Sequence, residues 1–172
     1  MFDPAPYFAD VAPHILPDLL DEWGWLLGKK SFEVFRVTAM GDLFLIDAGG
    51  AIHFLDVIGG GTLERFARSE REFDSRIRES GERKRYLVTF VVRRLREAGI
   101  RLERNECYSP DLPFVLGGTL DNTNLHPCEV YVHASILGQI HRQLEDLPPN
   151  TPVNFRFELA KSATAARIWN CT

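Results

Sequence analysis

The chain has 172 residues, long enough for one domain with a buried core, and its 45% hydrophobic and 26% charged residues are an ordinary globular balance. A formal charge of -4 and a pI of 5.7 weigh against a nucleic-acid binder, which carries a net basic face. The N-terminus MFDPAPYFADVAP has neither the basic region nor the apolar run of a signal peptide, and no run approaches the roughly 18 apolar residues of a membrane span, so the expected location is the cytoplasm.

Residues 1–13 are Pro-rich and expected to be irregular. Leu16, Leu19, Leu20, Trp23 and Leu27 fall at helical spacing and predict a helix over Pro17–Leu27, with Gly28 as its stop. Ser31–Thr38 alternates as a strand. In Gly41–Val57, two apolar runs flank Asp47-Ala48-Gly49-Gly50, the pattern of a β-hairpin. Leu43-Phe44-Leu45-Ile46 is apolar at every position, so this strand is expected centrally, covered on both faces. After Gly59-Gly60-Gly61, a short helix is expected over Thr62–Ala67.

Ser69 and Glu72 form a capping-box signature for a further helix with Phe73 and Ile77 inward. Glu82–Ala98 reads as one helix, with Leu87, Val91 and Leu95 in a row and Val88, Phe90 and Val92 beside it, ended by Gly99. Thr119–Pro127 reads as loop. Glu129–His133 is expected as a strand and Ala134–Asp146 as a helix stacking Ile136, Ile140 and Leu144. Val153, Phe155, Phe157 and Leu159 alternate with polar residues and predict a final strand. Hairpins and helices mixed without a βαβ rhythm indicate an α+β class. The expected organisation is one domain over 1–172 with its core at about 14–160, 1–13 and 161–172 falling outside that core.

Signatures of specific chemistry are missing. Gly24–Ser31 lacks P-loop spacing, Gly59–Gly61 lacks a dinucleotide fingerprint, and no nucleophile elbow occurs. Cys107, Cys128 and Cys171 are widely spaced and odd in number, unlike a disulfide framework or metal knuckle. The five histidines, His14, His53, His126, His133 and His141, lack metal-ligand spacing. His53 and His133 are expected in the sheet, half-buried, and the others at the surface. No metal or other cofactor is expected. Asp42, Asp47, Asp56, Asp111 and Asp121 fall in turns, where Asp bonds its own backbone. The functional alternative is an acidic rim facing a basic partner, for which Asp47, Asp56, Asp111 and Asp121 are the candidates. Glu64–Glu106 is net basic and the remainder net acidic, which suits that reading.

The segment MGDLFLIDAGGAIHFLDVIGGGTLERFARSEREF resembles the SUKH superfamily, bacterial immunity proteins related to the yeast cell-wall regulator Knr. CYSPDLPFVLGGTLDNTNL followed by EVYVHASILGQIHRQLEDLPPNT is similar to the Tdi-type immunity proteins of type VI secretion. Together these cover about residues 23–155. The resemblance implies a twisted, mainly antiparallel sheet flanked by helices. It also implies a non-catalytic protein that binds and neutralises a cognate toxin, often a nuclease, without contacting nucleic acid or membrane. It assigns scaffold roles to Gly41, Asp42, Leu55, Asp56, Leu116, Gly117, Gly118, Asn124, His133, Gly138, Gln139 and His141. Gly117 and Gly118 would form a tight turn, and His133 and Gln139 would bond loop backbone. The rivals are a housekeeping protein-interaction module of the same fold and a small hydrolase using His133 or His141.

Overall fold

The computed structural model describes residues 2–148 and 151–157. The first long element is a 3-10 helix, Leu16–Trp23, continued by one α-helical turn, α1 (Gly24–Leu27). A single α-helix was expected here. Pro17 in the first turn and Gly24 at the junction weaken it, while Leu19, Trp23 and Leu27 are buried as the periodicity requires.

Strands β1 (Phe32–Val37), β2 (Leu43–Asp47), β3 (Ile52–Asp56) and β4 (Thr62–Ala67) form an antiparallel sheet in that order. β2 is internal, as its uniform apolarity predicts. Leu43 and Leu45 pack into one core with Leu55, and Phe44 into a second with Ile52 and Phe54. The expected helix over Thr62–Ala67 is instead β4. Six residues cannot sustain an isolated helix, whereas pairing with β3 satisfies the backbone and buries Phe66.

Next come α2 (Glu70–Arg76), α3 (Ser80–Tyr86) and α4 (Thr89–Glu97). The Ser69 hydroxyl accepts from the Glu72 amide (3.3 Å), and the Glu72 carboxylate reaches back to the Arg68 amide (2.8 Å) rather than to that of Ser69. The single helix expected over Glu82–Ala98 is broken at Val88, which is left-handed with φ 43°. A β-branched residue there costs about 1–3 kcal/mol. The break divides the apolar row: Leu87 enters the second core with Phe73, Ile77 and Tyr86, and Val91, Val92 and Leu95 enter a third with Met40, Tyr108 and Leu125. Phe90, expected beside this row, stays exposed.

β5 (Glu106–Pro110) and β6 (Leu125–Glu129) make a two-stranded antiparallel ribbon, and Leu125, His126 and Pro127, expected as the end of a loop, belong to β6. α5 (Val130–Leu144) follows at once. The alternation expected as a strand at Glu129–His133 belongs to β6 at Glu129 and to α5's first turn thereafter. Val130, Ala134, Leu137 and Ile140 meet Leu19, Trp23, Leu43 and Leu45 in the first core, while Ile136 faces outward, contrary to expectation. Gly138 lets α5 touch the 3-10 helix: a Cβ there would lie 2.8 Å from that of Glu22. The Trp23 indole donates to the Ala134 carbonyl across the same contact (3.1 Å).

The described part of the expected final strand, residues 153–157, is not a strand. The Gln143 amide instead brackets the Arg156 backbone with two hydrogen bonds, and Phe155 packs against the first core. Leu159 and the tail with Trp169 lie outside the described residues. The Pro-rich N-terminal stretch is stitched in. Tyr7 and Ala9 bond the backbone of Ala39 and Val37, and Asp10 and Ala12 bond Asn105. The class is α+β with antiparallel sheets, as the sequence indicated.

Candidate functional site

α5 presents His133, Leu137 and His141 at i, i+4 and i+8, a single ridge aimed into the protein. His133 Nδ1 lies 2.9 Å from the Ser109 hydroxyl on β5. Its ring rests on Gly41, whose φ is +85° and where any Cβ would collide with the imidazole. His133 Nε2 is buried without a hydrogen-bond partner among the described residues. The tautomer with Nδ1–H donating to Ser109 leaves only a bare acceptor there, the cheaper orphan. Burial, then nearby His126, lowers the His133 pKa to about 3, so the ring is neutral at physiological pH.

His141 Nε2 donates to the Val57 carbonyl (3.0 Å), and its ring lies on Gly61, another left-handed glycine. Both histidines are therefore structural clasps between α5 and the rest of the protein. His133 and His141 are buried on a helix, correcting the expectation of one half-buried in the sheet and the other at the surface. His133 clasps a side chain, not the loop backbone. Among the described residues neither ring is hydrogen-bonded to a carboxylate, and both are buried, at 2% and 5% exposure.

Asp42 is buried beside this clasp, not exposed on a loop. Its carboxylate accepts from the amides of Val57 (2.9 Å) and Ile58 (3.0 Å), tying the start of β2 to the end of β3. Burial, then Asp56, pushes its pKa well above the usual carboxylate range, against the lowering effect of the two amides.

The four candidate contact acids separate into two kinds. Asp47 accepts from the amides of Gly49 and Ala51 and meets His53 at 2.8 Å, closing the β2–β3 turn. The His53 bond leads the effects holding its carboxyl below the ordinary range. Asp56 accepts from Gly59 and Gly60 (2.8 Å each) and closes the β3–β4 turn at the other end of β3. The structure does not bring these two together. Asp111 and Asp121 share one exposed loop, 111–124, between β5 and β6. Asp111 approaches His126 at 3.1 Å with its side chain 68% exposed, and Asp121 accepts from the Thr119 hydroxyl.

That loop is tightly held. Asn124 bonds the Leu112 amide and carbonyl and the Thr119 carbonyl. Gly117 is left-handed and Gly118 presses on the Leu112 carbonyl, the turn the resemblance implied. Arg94 of α4 donates to the Leu120 carbonyl and to Asn122, docking the loop on α4. Leu112 and Val115 on the loop and Phe90 on α4 are left exposed. Sequence reasoning missed this apolar trio. The displacement of Phe90 by one position from the Leu87–Val91–Leu95 row was the available signal.

Residues 67–141, less than half of the chain, match the model of a family described as T6SS immunity protein Tdi1, C-terminal. No curated protein matches. Among solved structures, the crystal structure of Atu4351 from Agrobacterium tumefaciens is similar, with a TM-score of 0.49 at 18% identity over 72% of this chain and 63% of that one. The family match supports a type VI secretion immunity protein. It runs from the end of β4 to His141 and so contains the 111–124 loop, α4 and both histidine clasps.

Proposed function

We propose that this protein is a non-catalytic immunity protein that binds and neutralises a cognate type VI toxin, in the cytoplasm. The observation that carries the reading is the match of residues 67–141 to the Tdi1 immunity family. The SUKH relationship stands beside it as a proposal about ancestry. The contact face in this reading is the 111–124 loop with Phe90. Exposed Leu112, Val115 and Phe90 supply apolar anchors, and Asp111 and Asp121 supply a charged rim, the usual anatomy of an interface. The partner is then basic where it meets the rim, as a nuclease is around its substrate cleft. Asp47 and Asp56 contribute through the long-range field, since their oxygens are already engaged by turn amides.

Co-expression with the toxin encoded beside this gene tests the reading. The wild-type chain restores growth. Asp111→Lys/Asp121→Lys weakens protection and slows association, more so at low salt. Failure of the wild-type chain to protect against a neighbouring toxin that kills the host on its own would refute it.

A further inference from the structure

We propose that Cys107 and Cys128 form a cross-strand disulfide site, closing under oxidising conditions to lock the base of the 111–124 loop. They are the two cysteines among the described residues, not joined in a disulfide, and stand directly opposite each other in the β5–β6 register. The backbone bonds fix the phase of this ladder. Val130 donates to the Asn105 carbonyl and Asp111 to that of Asn124, so every second pair between them, including Cys107/Cys128, is a hydrogen-bonded pair.

In such a pair the Cα atoms are about 5.5 Å apart and both side chains leave the same face of the ribbon. A disulfide spans Cα separations of about 4.4–6.8 Å, so the backbone already stands at bonding distance. The prolines make the register secure. Pro127 faces Tyr108 and Pro110 faces Leu125, the positions where this ladder asks for no amide donor. A slip by one residue would place one of the two prolines where a donor is needed and separate the two thiols.

The two sulfurs occupy different surroundings. Cys107 is fully buried, its Sγ against Gly41 beside the His133 ring, while Cys128 is 7% exposed. Cys128 is therefore the entry point. Its thiolate attacks one sulfur of an external disulfide oxidant, such as oxidised glutathione, and releases one reduced thiol. The Cys107 thiolate then attacks Cys128 Sγ in the mixed disulfide and releases the second. Two protons and two electrons leave the protein, and the oxidant's disulfide becomes two thiols. Burial raises the Cys107 thiol pKa, which slows the second step and keeps the dithiol form in a reducing compartment.

Hydrogen-bonded pairs hold their Cβ atoms somewhat wider than a disulfide prefers, so the bond carries strain and is readily reduced. Closing it ties residues 107 and 128 at the foot of the loop that Asn124 and Arg94 already hold. This inference does not depend on the identity of any toxin.

The test uses the full chain with Cys171→Ser, leaving two cysteines. The folded protein is treated with diamide, quenched, and mapped by proteolysis and mass spectrometry. The expected product is a monomer lighter by two hydrogens, with a Cys107–Cys128 linked peptide that dithiothreitol releases and a Tm higher by about 5–10 °C. Cys128→Ser in the same background gives no such species. If that variant fails to fold, maleimide counting on the Cys171→Ser protein serves in its place: two thiols before oxidation and none after. Exhaustive oxidation that leaves both thiols free, or that yields only intermolecular dimers or mixed disulfides, would overturn the proposal.

Discussion

Lowering the pH should destabilise this protein through His133, and the size of the effect follows from its burial. In the unfolded chain the imidazole titrates near 6.5. In the native protein its pKa is lowered to about 3, because protonation would place a cation among buried groups with only a hydroxyl and the Cys107 thiol at hand. The unfolded state therefore holds more protons between these values, and stability falls as pH drops through that window. From pH 7 to pH 4.5 the linkage amounts to about 2–3 kcal/mol. Urea unfolding followed by circular dichroism, at both pH values, measures it. His133→Asn keeps a donor toward Ser109 but cannot titrate. It should be less stable at pH 7 through lost packing, yet lack this share of the acid loss. Subtracting the two proteins cancels groups common to both, including Asp42. Equal acid loss in wild type and His133→Asn would refute the account of a buried neutral clasp.

Asp42 has the opposite sign: its native pKa is raised, so its contribution to stability falls as pH rises from the ordinary carboxylate range toward the native value. Asp42→Asn keeps an oxygen for the Val57 and Ile58 amides and should flatten that slope. Asp42→Ala orphans both amides and should cost about 2–4 kcal/mol in urea unfolding. Gly138→Ala drives a methyl against Glu22 and should lower stability by about 1–3 kcal/mol while shifting the Trp23 fluorescence. Asn124→Ala removes three hydrogen bonds from the 111–124 loop. It should leave global stability within about 1–2 kcal/mol of wild type but speed amide exchange across Leu112–Thr119.

The hairpin and the helical core of this fold were legible because their signals are local. Leu43–Ile46 announced an internal strand, and Leu19, Trp23 and Leu27 announced one buried helical face. The errors fall where tertiary pairing decides. Thr62–Ala67 has a helix former's composition but lies beside β3, and the end of the expected Thr119–Pro127 loop pairs with Tyr108, Ser109 and Pro110 across the chain. Val88 breaks a continuous helical pattern because its two halves serve different cores, which no window of sequence contains. Gly41 with His133, and Asp42 with the end of β3, are contacts between distant segments, which periodicity does not carry. Asp47 and Asp56 bond the backbone of their own turns, the chemistry their place between apolar runs suggested. The exposed Leu112, Val115 and Phe90 were hidden by the ordinary rule that apolar residues belong inside.

The most direct test of the central claim is to mix the purified chain with the purified toxin encoded beside its gene and measure complex formation by size-exclusion chromatography with light scattering. The account predicts a stoichiometric complex in which the toxin loses its activity, and a Leu112→Ser/Val115→Ser variant that folds normally but elutes apart from the toxin. A toxin that elutes alone and stays active beside the folded wild-type chain would contradict it.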